Sequence, residues 1–481
     1  MDYRRNNNVE LEFFKSALTR ESGLMKIESV LQWLKEKNEK IKTNIFEKPV
    51  DKLEQWYFHA ETGNILHKSG KFFSIEGIQV ATNWGKISGW EQPIINQPEV
   101  GFLGILTKKM NGVLHFLMQA KIEPGNINVV QLSPTLQATK SNYSRIHKGK
   151  SPLYLEYFNG NKDVKVLIDQ LQSEQGARFL KKRNRNIIVE IPANEDLTIY
   201  DNFLWLTLGQ VKRLMAFDNV VNMDTRTVIA GIPFGSYSSG TLNFFTLLND
   251  NASERVAINE HLLHSMLNGE EHFKDFVEII SWITGLKSKY ELLVRSAPLK
   301  DLKEWYYNGM SIVHRDEKYF SVIGVTAQIE SREVVSWDQP MIKPAQEGLV
   351  AFIVKKLNGI YHFLVQAKVE AGNFDIIELA PTVQCLTGNY RQGKNDYTVP
   401  FIHEVLNAQS CQIWYSARQS EEGGRFFREQ NLNMIIEADD DFPTEVSENY
   451  CWMTLNQLIM FMQFNNYLNI AARSLIAAIV I

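Results

Sequence analysis

Two stretches of the sequence decide the fold: Gly101–Asn126, GFLGILTKKMNGVLHFLMQAKIEPGN, and Gly348–Asn373, GLVAFIVKKLNGIYHFLVQAKVEAGN. They align without a gap, and 14 of their 26 residues are identical. Each holds two runs rich in β-branched and aromatic residues around an Asn-Gly pair, which is a strong signal for a β-hairpin. The same hairpin is therefore predicted twice, 247 residues apart.

The repeat extends over most of the chain. The Trp90–Pro93 segment, WEQP, returns as WDQP at Trp337–Pro340, and Leu132–Tyr143 returns as Leu379–Tyr390. A period this long lies outside the range of solenoid repeats, and each copy is large enough to bury a core of its own. A glycine- and serine-rich stretch separates the copies. We therefore expect two homologous modules, residues 1–237 and 238–481.

Each module is predicted to be α+β, a mixed β-sheet with flanking helices. Apolar residues recur at helical spacing over 27–42 and 276–286, so an amphipathic helix should open each module. Helices are also predicted to close the modules, over 203–216 and 450–464. The apolar stretch 474–481 is predicted to be a buried last strand or the end of a helix.

Composition excludes several classes of protein. The 481 residues are 44% hydrophobic and 22% charged, with a net charge of −4, which argues against a disordered chain and against binding nucleic acid through bulk charge. Three cysteines cannot form a disulfide framework or a four-cysteine zinc site, and they favour a reducing, cytoplasmic setting. No stretch is long and apolar enough to cross a bilayer, so we expect a soluble protein.

Familiar cofactor motifs are absent from the sequence. It has no Gly-x-Gly-x-x-Gly dinucleotide fingerprint, no P-loop, no His-Glu-x-x-His and no Gly-x-Ser-x-Gly. We therefore expect no cofactor and no metal, and chemistry that uses protein side chains alone.

The second strand of the hairpin carries a candidate site. Side chains alternate between the two faces of a strand. One face of Val113–Glu123 is apolar, and the other returns without change in the second copy: His115, Leu117, Gln119, Lys121 and Glu123 become His362, Leu364, Gln366, Lys368 and Glu370. The positions of the apolar face stay apolar in the second copy, but several of their residues differ. We interpret the repeated face as contacting a ligand; the alternative is a solvent-facing strand with a Lys–Glu pair.

Other residues recur in both copies and allow two interpretations each. Trp90 and Trp337 stand in predicted loops, where a ring could stack on a base or sugar, or could fill the core. Arg178 and Arg425 could bind a phosphate or pair with a nearby glutamate. The remaining pairs are Thr135/Thr382, Gln137/Gln384, Asn142/Asn389 and Tyr143/Tyr390.

A short cationic segment follows in the first copy only. Residues 144–150 read SRIHKGK, with Arg145 and His147 beside the tyrosine of the Asn-Tyr pair. Such a segment suits a diphosphate. A solvated run of charge is the alternative.

Together these motifs resemble the NDP-hexose 2,3-dehydratase family of deoxysugar biosynthesis. The resemblance covers about residues 29–478. The residues that carry it lie in both copies: Gly63–Gly77, Trp90–Pro93, Gln119–Asn126, Pro134–Gln137, Asn142-Tyr143, Tyr154–Phe158, Gln366–Glu370, Gln419–Phe426 and Asn469–Leu475.

The resemblance implies a lyase built from two modules similar to Nudix hydrolases, acting as a homodimer on a dTDP-4-keto-6-deoxyhexose. It implies one catalytic pocket per subunit and a second pocket that is a remnant of the duplication. The glutamate-rich metal box of Nudix hydrolases is missing here, which favours a metal-free elimination. Two rival functions remain open, a non-catalytic nucleotide-sugar-binding protein and a Nudix-like diphosphate hydrolase.

The expected reaction assigns hypothetical roles. A base removes the C3 proton that the C4 ketone acidifies, a cation stabilises the enolate, and the C2 hydroxyl leaves as water. The catalytic candidates are Lys121, Glu123, Tyr143, Lys368, Glu370 and Tyr390. The substrate-binding candidates are Trp90, Gln119, Asn142, Arg145, His147, Arg178, Trp337, Gln366, Asn389 and Arg425.

Overall fold

The computed structural model describes residues 7–140, 151–243, 259–330, 335–386 and 399–480. Within these ranges the first half contains the helices α1 (Asn7–Leu18), α2 (Ile27–Lys40), α3 (Leu208–Leu214) and α4 (Met223–Ala230). Its strands are β1 (Thr43–Lys48), β2 (Trp56–Phe58), β3 (Ile65–His67), β4 (Ser74–Thr82), β5 (Gly89–Asn96), β6 (Gly101–Met110), β7 (Val113–Ile122), β8 (Val130–Ser133), β9 (Leu136–Ala138), β10 (Lys165–Ser173), β11 (Arg183–Ile191) and β12 (Phe203–Thr207).

The second half repeats this order. Its helices are α5 (Glu260–Leu267), α6 (Phe276–Lys289), α7 (Ile402–Leu406), α8 (Leu455–Met462) and α9 (Ile470–Ala478). Its strands are β13 (Leu292–Ala297), β14 (Trp305–Tyr307), β15 (Ile312–His314), β16 (Phe320–Ile329), β17 (Ser336–Pro344), β18 (Gly348–Leu357), β19 (Ile360–Lys368), β20 (Glu378–Ala380), β21 (Val383–Leu386), β22 (Ile413–Ser420), β23 (Gln430–Glu437) and β24 (Tyr450–Thr454).

The repeated hairpin is confirmed as the centre of each large sheet. β6 pairs with β7 across Asn111 and Gly112, which both have positive φ, as the type I′ turn requires. The first sheet runs β10-β11-β6-β7-β12, with β6 and β11 parallel. The second sheet, β22-β23-β18-β19-β24, has the same order and the same parallel pair.

The hairpin strands separate beyond the pair Leu106–Leu117, and the sheet splits at that point. β9 pairs with the first part of β6, while β8 pairs with the second part of β7. The Thr135 hydroxyl sits at the fork, where it accepts from Leu106 N at 2.9 Å and donates to Leu117 O. Thr382 does the same in the second sheet, which explains why this threonine recurs. The fork leaves the end of β7 facing β9, where the candidate site lies.

The two modules exchange strands. β1 precedes the first small sheet in sequence but pairs with β16 of the second module, and β13 pairs with β4 of the first module. Each small sheet is completed by a strand from the other half, and both contribute to one core that includes Trp56, Trp305, Phe73 and Phe320. The modules therefore share their small sheets and that core.

Two predictions of local structure are wrong in part. The segments 203–216 and 450–464 each begin as a strand and become helical only at Leu208 and Leu455. A continuous apolar run does not distinguish a buried strand from a helix, and here pairing with β7 and β19 selects the strand. The helix predicted over 27–42 is confirmed as α2, and the end of the chain contributes to α9.

The repeated face of β7 does not face solvent. Leu117 is fully buried in a core that includes Tyr154 and Phe158, while the opposite face packs against the helices. His115 and Glu123 are each 4% exposed. The alternative of a solvent-facing strand is therefore wrong, because the segment 154–158 covers this face. Among the described residues no helix has the length and apolar character that crossing a membrane requires.

Candidate functional site

The end of β7 brings three polar side chains together in the first module. Gln137 Nε2 donates to Glu123 Oε1 at 2.7 Å, and Lys121 Nζ lies 3.8 Å from the same oxygen. Lys121 Nζ also lies 3.5 Å from Gln137 O. The fork in the sheet produces this arrangement, because it turns β9 across the end of β7. The Glu123 carboxyl is thus held in place by an amide and an ammonium group.

Asn222 connects this group to helix α4. Its Oδ1 caps the helix by accepting from Thr225 N, while its Nδ2 donates to Ser133 Oγ at 2.9 Å and lies 3.4 Å from Gln137 Oε1. A capping residue is fixed by its own backbone geometry. Asn222 therefore orients the Gln137 amide so that its NH₂ group points to Glu123.

The second module repeats the arrangement with its own residues. Gln384 Nε2 donates to Glu370 Oε1 at 3.2 Å, and Lys368 Nζ donates to Gln384 O at 2.9 Å. Asn469 caps α9 and donates to Gln384 Oε1 at 2.8 Å. We call these two places the first pocket and the second pocket, defined by Glu123 and Glu370. Burial lowers the pKa of Lys368, against the opposing effect of Glu370.

Each pocket is closed by a segment from the other module. In the first pocket, Gly125 N donates to Gly423 O at 2.7 Å and Arg428 N donates to Gly125 O at 2.8 Å. In the second pocket, Gly372 and Lys181 make the equivalent bonds with residues 176 and 372. A Cβ at Gly125 would collide with the Phe426 carbonyl oxygen, so only glycine permits this approach. Both pockets are therefore composite.

Two further carboxyls lie at the first pocket. Glu422 enters from the second module, and its Oε1 accepts from Gly424 N at 3.1 Å. Asp224 lies in the first turn of α4, 2% exposed, and its Oδ1 has no hydrogen-bond partner among the described residues. A Cβ at Gly424 would overlap Glu422 Oε1 and would lie 3.6 Å from Glu123 Oε1. The absence of that Cβ lets Glu422 turn toward Glu123.

Burial controls the proton affinity of these groups. Desolvation, followed by repulsion from Glu123, raises the pKa of Glu422 to about 7. Desolvation also raises the pKa of Asp224 well above its usual range, and the charges of Glu422 and Glu123 add to the shift. Buried carboxyls that lie close together cannot all ionise, because desolvation and mutual repulsion oppose it. The first pocket therefore retains protons on carboxyls near neutral pH.

Sequence reasoning missed Asp224 and Glu422. A signal existed, because comparison of the copies at the offset of 247 pairs Glu422 with Gln175 and Asp224 with Ala471. The second pocket therefore has neutral side chains at both positions. Gln175 Oε1 is buried there without a hydrogen-bond partner among the described residues.

Trp90 and Trp337 lie in strands β5 and β17, not in loops as predicted. Trp90 Nε1 donates to Gln92 Oε1 at 2.8 Å, and Gln92 Nε2 donates to Ala177 O at 2.9 Å. The equivalent bonds run from Trp337 to Gln339 and on to Gly424 O. Each tryptophan is half-buried and supports the segment that closes a pocket of the other module.

Arg178 and Arg425 lie in the interface between the modules. Arg178 Cζ lies 4.2 Å from the centre of the Phe320 ring, and Arg425 Cζ lies 4.1 Å from that of Phe73. Desolvation lowers the pKa of both guanidinium groups. Arg425 Nε also donates to Gln97 Oε1 at 3.2 Å. These described contacts are internal, with aromatic rings and the Gln97 side chain; the phosphate and the glutamate pairing that the sequence left open both stay predictions.

The histidines lie at the far end of the strand face. His115 Nδ1 bonds to Val113 O at 2.9 Å, and His362 Nε2 accepts from Phe273 N at 3.0 Å. Burial lowers the pKa of His362 to about 4. Gln119 and Gln366 lie between the histidines and the lysines and are partly buried.

The other predicted site residues fall outside the described part of the chain: Asn142, Tyr143, Arg145, His147, Asn389 and Tyr390. Within that part, no three His, Cys, Asp or Glu side chains are grouped so that they could hold a metal ion. A cavity of about 650 Å³ lies elsewhere, between α6 and residues 444–452, and none of the predicted site residues lines it.

The first pocket can therefore accept a proton on one carboxyl, supply a proton from another and stabilise an anion with Lys121. That set suits an elimination in which a carbon acid loses a proton and an oxygen leaves with one.

Known proteins match this chain over nearly its whole length. The model of the family described as NDP-hexose 2,3-dehydratase matches it twice, at residues 27–232 and 276–479. A dTDP-4-dehydro-6-deoxy-alpha-D-glucopyranose 2,3-dehydratase of Saccharopolyspora spinosa is 44% identical over 98% of this chain and 95% of its own. One of the same name from Amycolatopsis orientalis is 40% identical over 96% of this chain and 92% of its own. The chain is a member of the NDP-hexose 2,3-dehydratase family.

Proposed function

We propose that this protein is a dTDP-4-dehydro-6-deoxy-D-glucose 2,3-dehydratase, a hydro-lyase that removes water across C2–C3 of the nucleotide-linked sugar. The observation that carries the proposal is the buried Lys–Glu–Gln group at the end of β7 and β19. The names of the relatives supply the substrate. The product is a 3,4-diketo-2,6-dideoxy sugar for deoxysugar biosynthesis.

The chemistry follows from the ketone at C4. A carboxylate, Glu123 or Glu370, removes the C3 proton, and the electron pair moves onto the C4 oxygen. The ammonium group of Lys121 or Lys368 stabilises that enolate. The electrons then return to form a C2–C3 double bond while the C2–O bond breaks and water leaves. The resulting enol tautomerises as the C3 hydroxyl loses a proton and C2 gains one.

The predicted contacts with the nucleotide remain part of the proposal. Arg145 and His147, with Arg178 and Arg425, would hold the diphosphate. Asn142 and Asn389 would contact the substrate, and Tyr143 and Tyr390 would assist proton transfer. Gln119 and Gln366 share the strand face that leads to the lysines. Their partial burial beside the pocket is compatible with a contact to the sugar.

We also propose a fold, an oligomeric state and a cellular location for this protein. The modules, residues 1–237 and 238–481, would be Nudix-like, and the protein would be a homodimer in the cytoplasm. The three unpaired cysteines fit a reducing compartment. Light scattering coupled to size-exclusion chromatography tests the oligomeric state: a mass near 111 kDa, about twice the 55.4 kDa chain, supports the dimer and a monomeric mass contradicts it.

The activity is tested with purified protein and dTDP-4-keto-6-deoxyglucose. A 3-ketoreductase and its reduced cofactor are added to trap the unstable diketone. We expect a dTDP-linked 2-deoxy sugar that requires both proteins. Unchanged substrate would contradict a dehydratase, and release of dTMP would favour diphosphate hydrolysis.

A further inference from the structure

The composite construction of the first pocket bears on its chemistry. Glu422 lies in the second module, yet its side chain is turned into the pocket of the first module beside Glu123. The backbone around it is fixed by the Gly125–Gly423 bond and by the Gln339 amide, which donates to Gly424 O. Gly424 leaves the space that its carboxyl occupies. The second pocket has Ala177 at the position equivalent to Gly424, and Gln175 at the position equivalent to Glu422.

Asp224 gives a second and independent indication. A buried carboxyl oxygen without a hydrogen-bond partner costs free energy and is rare in folded proteins. Asp224 Oδ1 is such an atom among the described residues, and its side chain lies close enough to Glu422 and Glu123 to be influenced by their charges. An arrangement of this kind is ready to bind a polar group of a ligand.

We propose that Glu422 is the general acid that protonates the departing C2 hydroxyl in the first pocket, with Asp224 as a neighbouring buried carboxyl. This inference rests on the proposed dehydratase activity. It makes the first pocket the catalytic one. The second has Gln175 and Ala471 at these positions, and its own buried carboxyl, Glu378, accepts instead from Ser173 Oγ at 2.8 Å.

The protons balance over one turnover. Glu123 gains the C3 proton, and Glu422 gives a proton to the C2 oxygen as the C2–O bond breaks, so water leaves and Glu422 becomes a carboxylate. In the tautomerisation C2 receives a proton from Glu123, and the C3 hydroxyl returns one to Glu422. No oxidant, reductant or cofactor is required.

The electrostatic surroundings agree with an acid in this position. Glu422 is influenced by Lys121 on β7, Glu123 just after it, Glu174 after β10 and Arg425 on its own segment, and its own charge acts on Asp224 on α4. Desolvation, Glu123 and Glu174 raise the pKa of Glu422, while Arg425 and Lys121 lower it. Its raised pKa is near the value at which a general acid works at neutral pH.

The duplication supplies the variants for the test. Glu422→Gln gives the first pocket the side chain that the second has at Gln175, so the fold should accept it. Gln175→Ala is the control in the second pocket. We expect Glu422→Gln to lower kcat by about 10²–10⁴-fold with KM nearly unchanged, and Gln175→Ala to remain within about twofold of the wild type.

Isotope exchange separates an acid from a merely structural residue. In D₂O, Glu422→Gln should still exchange the C3 hydrogen of recovered substrate, because Glu123 and Lys121 remain, while Glu123→Gln should not. The falling limb of the wild-type kcat at alkaline pH should disappear in Glu422→Gln.

Two results would overturn the inference while leaving the proposed function intact: a Glu422→Gln variant with wild-type kcat, or one that has also lost C3 exchange. If the wild type itself leaves dTDP-4-keto-6-deoxyglucose unchanged and unexchanged, the proposed function fails, and this inference fails with it.

Discussion

The two pockets differ in charge although their frameworks are the same. Each has a lysine, a glutamate, a glutamine and a helix-capping asparagine in matching positions. The first adds Asp224 and Glu422, where the second has Ala471 and Gln175, while the second has a buried Glu378 where the first has Gln131. The comparison indicates that the interface between the modules keeps these four residues in both pockets, because each module closes the pocket of the other. Proton transfer requires only one complete set of acids and bases.

The largest expected effect separates the two candidate bases. Glu123→Gln should lower kcat by about 10²–10⁴-fold, because it removes the base from the pocket that contains Glu422. Glu370→Gln should stay within about threefold of the wild type. Steady-state kinetics on both variants measures this, and equal losses in the two would mean that the pockets are equivalent.

The buried arginines should behave alike. Arg178→Ala and Arg425→Ala should each lower the free energy of unfolding by about 3 kcal/mol, because each removes an interface guanidinium that stacks on a phenyl ring and balances buried carboxylates. Urea denaturation measures the loss, with Arg→Lys variants as controls for charge. A tenfold rise in KM with unchanged stability would indicate phosphate binding instead.

Glu422 should be one of the buried carboxyls through which stability depends on pH. Glu422 has a pKa raised from 4.5 to about 7, so between these values the unfolded chain releases a proton that the folded protein keeps. The wild type therefore loses stability over this window as pH rises, and Glu422→Gln should lose about 2 kcal/mol less. Urea denaturation at pH 5 and pH 8 checks the sign; parallel losses in both proteins would contradict it.

A smaller effect should follow from Gly424. Gly424→Ala would push Glu422 away from Glu123 and should lower kcat about tenfold, equivalent to about 1.4 kcal/mol. Ala177→Gly is the matched control and should change kcat less than twofold. If Gly424→Ala keeps full activity, the glycine does not create the space for the acid.

The sequence predicted the site in part, and the limits have physical reasons. Lys121 and Glu123 were identified because a repeated polar face on a strand is a local pattern, and the two copies allow it to be compared. Trp90 and Trp337 were placed in loops because proline follows them closely, but both lie in strands. Proline is tolerated on strands at the edge of a sheet. β5 and β17 each pair with one strand, and the other side of each carries an isolated bridge, at Ile95 and Ile342.

Asp224 and Glu422 could not be assigned to one pocket from the sequence. They lie almost 200 residues apart, on a helix of one module and a connecting segment of the other. A difference between the copies marks both positions, but only the packing of residues 423–428 against Gly125 shows that they meet.

The amino-acid sequence by itself determined the duplication, the hairpin at the centre of each module and the polar face of its second strand, because turn chemistry and side-chain alternation act over a few residues. The tertiary structure decided the exchange of β1 and β13, the burial of the polar face and the joining of Glu422 to Glu123. These features depend on long-range packing between two halves whose local sequence patterns are nearly the same. Only the contacts between the modules show which carboxyl lies in which pocket.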